Sequence, residues 1–194
     1  MKIIFLLFFS YAFFTSPALA DFDPSPFEKA RELLGDWNIP EAELLISSLS
    51  KEHPGSSKVA ILKARLDFFK GDYEAAWNHI KQVRSKNSSI QELRYLIDQT
   101  RQTAGSFVSR ESEHFIFRFK DGPDEILIHH AKEALEKSYD ILGKLLNHYP
   151  SQKVIVELYP SREPFSKVSP LTLKDIMTSG TVALCKYNRL MAIS

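Results

Sequence analysis

A chain of 194 residues with 44% hydrophobic and 25% charged side chains has the make-up of an ordinary folded protein of one or two domains, which excludes a wholly disordered or collagen-like chain. The formal net charge is +1, with bases scattered among acids, and this leaves no electrostatic case for nucleic acid as a partner. A single cysteine, Cys185, excludes an internal disulfide and a cysteine-built zinc site, and reads as a half-buried strand residue.

Residues 1–20 carry the pattern of a signal peptide. Lys2 forms a short basic end, Ile3 to Phe14 are almost wholly apolar, and Ala18-Leu19-Ala20 offers a small-x-small cleavage site. The apolar run is short for a membrane span, which takes about 20 residues, and no later segment is longer. The expectation is a mature chain that starts near Asp21, has no membrane span after cleavage, and is periplasmic or secreted. An uncleaved amino-terminal anchor is the alternative. Without Lys2 the chain holds 24 basic and 24 acidic residues.

Residues 21–104 read as helical hairpins. Phe27, Ala30, Leu33 and Leu34 give one apolar face at helical spacing, and Asp23-Pro24-Ser25 supplies the entry. After the turn residues Gly35 to Pro40, a second face follows with Ala42, Leu45, Ile46 and Leu49. The plan then repeats over Lys58 to Phe69 and Glu74 to Val83. Ala30, Ala42 and Ile46 recur as Ala64, Ala76 and Ile80, each 34 residues on, with Arg31 and Arg65 in the same phase. A fixed period marks stacked repeats, and small residues at the same phase mark the points where helices approach closely. Ile90 to Thr103, with Asp98 where a third small residue would fall, reads as a capping helix.

The run Phe69-Lys70-Gly71-Asp72-Tyr73-Glu74-Ala75-Ala76 resembles the inter-helix turn of a tetratricopeptide repeat, and Pro54 stands where that family closes a repeat. The first unit has Trp37 to Pro40 in place of the Gly-Asp-Tyr turn. The resemblance implies an α-solenoid whose first helices line a groove for a protein or peptide partner. Phe27, Arg31, Lys58, Ile61, Arg65 and Phe68 would face that groove, with Arg31 and Arg65 stacked as a basic ladder for a carboxylate.

Beyond Ala104 the period changes. Phe115, Phe117 and Phe119 alternate as a strand, Asp124 to His148 is the longest helical pattern, and Gln152 to Leu158 is a second strand. On that helix Leu127, Ala131, Leu135, Ser138, Leu142 and Leu145 form the expected packing side. Pro164 to Met177 reads as short helices, and Thr181 to Cys185 with Leu190 to Ile193 as a final hairpin. The whole is expected to be mainly α, with two hairpins and a cap followed over residues 105–194 by a partial α/β layer of about four strands and one long helix.

Ser112 to Phe117, Leu145 to Pro150, Lys153 to Ser161 and Thr178 to Leu184 resemble the opening of a gluzincin-like, peptidase MA-like domain, over roughly residues 108–194. Members of that family are zinc metallopeptidases that carry HExxH on a helix, where two histidines hold the metal and the glutamate polarises water. No HExxH occurs here. The expectation is an exported interaction module without catalytic, cofactor-binding or metal-ligating residues of its own. The alternative is the amino-terminal piece of a periplasmic zinc metallopeptidase whose catalytic helix lies beyond residue 194, with an uncovered sheet edge that favours self-association. His129-His130 with Glu133 lacks the second histidine of an inverted zinc motif, and Ser179 and Cys185 lack the neighbours of a nucleophile.

Overall fold

The computed structural model describes residues 24–194; the signal-peptide reading falls on residues that lie outside the described ones. Helix α1 (Pro26–Gly35) starts at Ser25, whose side chain accepts from the Glu28 N–H, and Pro26 opens the first turn where its missing N–H costs nothing. It pairs with α2 (Ile39–Glu52). The second hairpin is α3 (Ser57–Phe69) and α4 (Tyr73–Ile80), and α5 (Ser88–Ala104) packs on α4. The tight helix crossings fall on the small residues: Ala30, Ala42, Ala64 and Ala76 are all completely buried. Helix α3 is apolar on two sides because it lies between two clusters. Val59, Leu62 and Leu66 pack with α1 and α2, whereas Ala64 and Phe68 pack with Tyr73, Ala76, Ile80 and Ile97.

The remaining elements are β1 (Phe107–Glu111), β2 (Phe115–Lys120), α6 (Glu125–Leu146), β3 (Val154–Tyr159), α7 (Arg162–Val168), α8 (Leu173–Ser179), β4 (Ala183–Lys186) and β5 (Arg189–Ile193). They form one mixed sheet in the order β1-β2-β3-β5-β4, with β2, β3 and β5 parallel and both outer pairs antiparallel. The chain is therefore mainly α with a five-stranded sheet, one strand more than the four expected. Strand β1 has no alternating pattern: only Phe107 and Val108 are partly covered, and its pairing to β2 defines it. The β4–β5 hairpin turns at Tyr187 and Asn188, both at φ near +58, the geometry of a two-residue turn that follows the twist of the strands. No helix among the described residues is long and apolar enough to cross a membrane.

The sheet is covered on both faces. Phe115, Phe117, Phe119 and Val156 meet α6 through Ile128, Ala131, Leu135 and Tyr139. This corrects part of the packing side expected from the sequence: Ala131 and Leu135 do pack, but Leu127, Leu142 and Leu145 are exposed, together with Ile126, Ile141 and Leu146. The helix is apolar around more than one face, so its own pattern did not choose which face meets the sheet. On the opposite face Tyr159 and Met191 pack with Phe165, Val168 and Ile176 of α7 and α8. Helix α5 touches α7 and β2, so the helical hairpins and the sheet meet along a continuous junction.

Candidate functional site

The junction is organised around a carboxylate in the middle of an apolar strand. Arg118 pairs with Glu157 across β2 and β3, and Glu157 pairs with Met191 of β5, so Arg118, Glu157 and the start of β5 share the face that looks toward the hairpins. Glu157 is completely buried and Arg189 is 3% exposed. Arg189 Nε lies 3.2 Å from Glu157 Oε2, and Tyr159 donates its hydroxyl to the same oxygen at 2.6 Å. Tyr73, at the start of α4, donates to Glu157 Oε1 and accepts from Arg189 Nη1 at 2.7 Å. Arg118 Nη1 sits 3.8 Å from Glu157 Oε1 and donates to the Gly71 carbonyl at 2.6 Å.

Three rings surround the Arg189 guanidinium: its carbon lies 4.9 Å from the Phe68 centroid, 5.1 Å from Tyr73 and 5.8 Å from Tyr187. Burial alone would favour the neutral form of Arg189, but the Glu157 carboxylate and the Tyr73 and Tyr159 oxygens more than offset it and hold the proton more tightly than usual. Burial, and then the Glu157 charge, push both tyrosine hydroxyls well above their ordinary range, so they act as fixed donors. A cluster this enclosed offers nothing to a solute. Its chemistry is that of a tie between the Gly71-Asp72-Tyr73 turn and the sheet.

The residues expected to line a groove divide into two groups. Phe68 is 1% exposed and belongs to the core beneath Arg189, which corrects its assignment to a binding surface. Phe68 lies on the α3 face that Arg189 and Tyr187 cover. Ile61 is half-buried against the second cluster. Phe27 is half-buried beside His53, ring centroids 5.2 Å apart, with Lys58 Nζ 5.5 Å over its ring. Arg31 is exposed and Arg65 half-buried on the packed helices α1 and α3. Partial burial, and then the charge of Arg31, lower the proton affinity of Arg65. Neither arginine makes an ion pair among the described residues.

A third polar cluster closes the end of the sheet. Glu136 of α6 accepts from the His114 backbone N–H at 3.0 Å and lies 2.7 Å from His114 Nδ1, while the His114 ring stacks on Tyr139 with centroids 3.8 Å apart. Burial would raise the Glu136 carboxyl, but the Ser112 hydroxyl beside it and the two His114 groups outweigh burial and hold it down at about 2. A carboxyl with a depressed folded value stabilises the fold fully above its ordinary value of 4.5 and loses that contribution as pH falls through about 2. Wild type is therefore expected to lose more stability than Glu136→Gln between those limits in denaturant titrations at stepped pH; parallel profiles would contradict the assignment.

The other singled-out residues lie apart. His129 and His130 are exposed on α6, His129 Nε2 being 3.5 Å from Glu133, and Cys185 is exposed on β4, not half-buried as expected. Among the described residues no three His, Cys, Asp or Glu side chains are grouped so as to hold a metal ion. Sequence patterns missed the junction residues, although one signal was present: Glu157 interrupts an otherwise apolar strand, and a carboxylate there needs buried partners. No family model, no curated protein and no solved structure matches the chain.

Proposed function

We propose that this chain is an exported protein-interaction module of tetratricopeptide type joined to a gluzincin-like layer, non-catalytic as given, and that it binds acidic peptide segments along α1 and α3. One observation carries this reading: Arg31 and Arg65 stand 34 residues apart in sequence on adjacent packed helices, close enough for the charge of Arg31 to lower the proton affinity of Arg65, with no carboxylate partner among the described residues. Two like charges so placed are relieved by an anion between them, and charge-assisted hydrogen bonds to a carboxylate are worth about 1.5–3 kcal/mol each. Lys58 over Phe27 extends the same surface. Phe27, Arg31, Lys58, Ile61 and Arg65 remain its residues.

The test is fluorescence anisotropy with a labelled glutamate-rich peptide. Arg31→Glu and Arg65→Glu are each expected to weaken binding by about tenfold or more, the size of one lost charge-assisted bond. Unchanged affinity in both variants would remove the pair from consideration. Export would be read from the amino terminus of the protein recovered from the periplasm or medium, expected at Asp21.

The second reading, the front part of a zinc metallopeptidase with its HExxH helix beyond residue 194, draws support from the bare apolar ridge of α6, which has room for a further element. The coding sequence past Ser194 would hold HExxH in frame if this is right. The same ridge and the short outer strand β4 support self-association of the chain as given. Sedimentation is expected to show concentration-dependent oligomers that dissociate in a Leu142→Glu/Leu145→Glu variant; a monomer for wild type at all concentrations would contradict this.

A further inference from the structure

A cleft of about 660 Å³ opens between the α1–α2 turn and the segment that joins α6 to β3. This volume lies in the range of sites that enclose a small ligand or a few residues of peptide. One wall is Trp37 and Pro40, the other Tyr149 and Pro150, so ring-bearing residues more than a hundred positions apart in sequence line the same space.

Trp37 is positioned by its backbone and Tyr149 by its packing on α6. Trp37 is 47% exposed and adopts φ +58, a conformation rare for a bulky residue. Three backbone bonds fix it there: Trp37 N–H to Leu34 O, Asn38 N–H to Leu33 O, and Ile39 N–H to the Trp37 carbonyl, at 3.3, 2.9 and 2.9 Å. Tyr149 is 46% exposed and sits over Gly143, where any Cβ would overlap its ring. Tyr139 stands 5.4 Å from it and donates to the Pro150 carbonyl.

The charges of the cleft are unequal. Lys153 is occupied by Glu111 and by the Ser112 carbonyl, both at 2.8 Å. Asp36 caps α1 through its backbone, and its carboxylate has no partner among the described residues. Arg189 also lines the cleft, but its guanidinium is taken up by Glu157 and Tyr73, so Asp36 is the acidic group left open there, beside His148 and the aromatic and proline rings. Asn38, Ser151 and Gln152 also line the cleft and offer hydrogen bonds to a sugar's hydroxyls, but a neutral sugar brings no cation for Asp36. A left-handed, extended proline stretch presents pyrrolidine rings to aromatic walls, arrives with little entropy left to lose, and needs only one cation to match Asp36.

We propose that this cleft binds a polyproline II peptide with a basic residue beside the prolines, Trp37 and Tyr149 gripping the rings and Asp36 the cation. The site is separate from the arginine pair on α1 and α3, and neither depends on the other.

The chain holds two tryptophans, Trp37 and Trp77, so in a Trp77→Phe variant the emission reports Trp37 alone. The full chain carrying that change would be titrated with an acetylated hexaproline-arginine peptide, the same peptide ending in glutamate, and a chitin oligosaccharide. The expected result is a saturable shift of Trp37 emission with the arginine peptide and at least fivefold weaker binding of the glutamate peptide. Asp36→Asn should abolish that preference. Tyr149→Ala, with folding checked by circular dichroism, should weaken the arginine peptide at least fivefold, and Arg31→Glu should leave it unchanged. No saturable response to the arginine peptide, equal response to both peptides, or response to the oligosaccharide alone would each overturn the proposal.

Discussion

Arg189→Met is expected to destabilise the protein by about 3–5 kcal/mol, the range measured when one partner of a buried ion pair is removed. The loss comes from what stays behind. Glu157 would remain fully buried with the Tyr159 hydroxyl as the one donor left on its second oxygen and no adjacent guanidinium there to balance the charge, and Tyr73 would lose the guanidinium donor that fixes its hydroxyl. Because Arg189 also fills the space among Phe68, Tyr73 and Tyr187, methionine is the informative replacement: it keeps much of the volume and removes the charge. Urea unfolding of the two proteins measures the difference. The double variant Arg189→Met/Glu157→Leu should recover part of it, since the stranded carboxylate is gone, although Tyr73 and Tyr159 then lose an acceptor. A loss below about 1 kcal/mol in Arg189→Met would show that water reaches Glu157 and that the tie is not dry.

Gly71→Ala is expected to cost about 2–5 kcal/mol through two separable effects. Gly71 has φ +76, where an L side chain is strained by roughly 1–2 kcal/mol. A Cβ there would also lie 2.6 Å from Arg118 Nη1 and 2.7 Å from Ile155 Cδ1. Both atoms end flexible side chains, yet neither is free to move: Arg118 is bonded to the Gly71 carbonyl and close to Glu157, and Ile155 is buried. Overpacking at such a point adds about 1–3 kcal/mol. In an Arg118→Ala background the added cost of Gly71→Ala should shrink toward the backbone contribution alone. Equal costs in both backgrounds, measured by the same urea titrations, would show that Arg118 does not press on the turn.

These two predictions fall on residues that sequence patterns treated very differently. Gly71 belonged to a run whose turn chemistry was plain, but its tight contact with β2 and β3 was not. The run implies only that the chain must reverse between two helices; that the reversal also docks a sheet depends on residues some fifty to a hundred positions later. Phe68 shows the same limit from the other side. Its place on a helix face was legible, and its partner was not, so it was assigned to an open groove when Arg189 and Tyr187 cover it. For α6 the pattern was ambiguous in itself. Apolar residues lie around more than half of the helix, and only contact with Phe115, Phe117 and Phe119 selects Ile128, Leu135 and Tyr139 as the packed side. Strand β1 could not be read at all from alternation, because an outer strand with one wet face needs only a hydrogen-bonding neighbour.

The sequence by itself determined the local elements: the helix pairs with small residues at their crossings, the long helix after β2, the parallel apolar strand β3 and the closing hairpin. Period, caps and turn residues act over a few positions, and those forces are written in adjacent residues. Only the tertiary structure decided that Glu157, Arg189, Tyr73 and Tyr159 meet at a single dry point, that Trp37 and Tyr149 face the same cleft, and that α6 leaves a ridge uncovered. Those outcomes depend on which surfaces exclude water from one another, a choice made by packing between segments far apart in the chain.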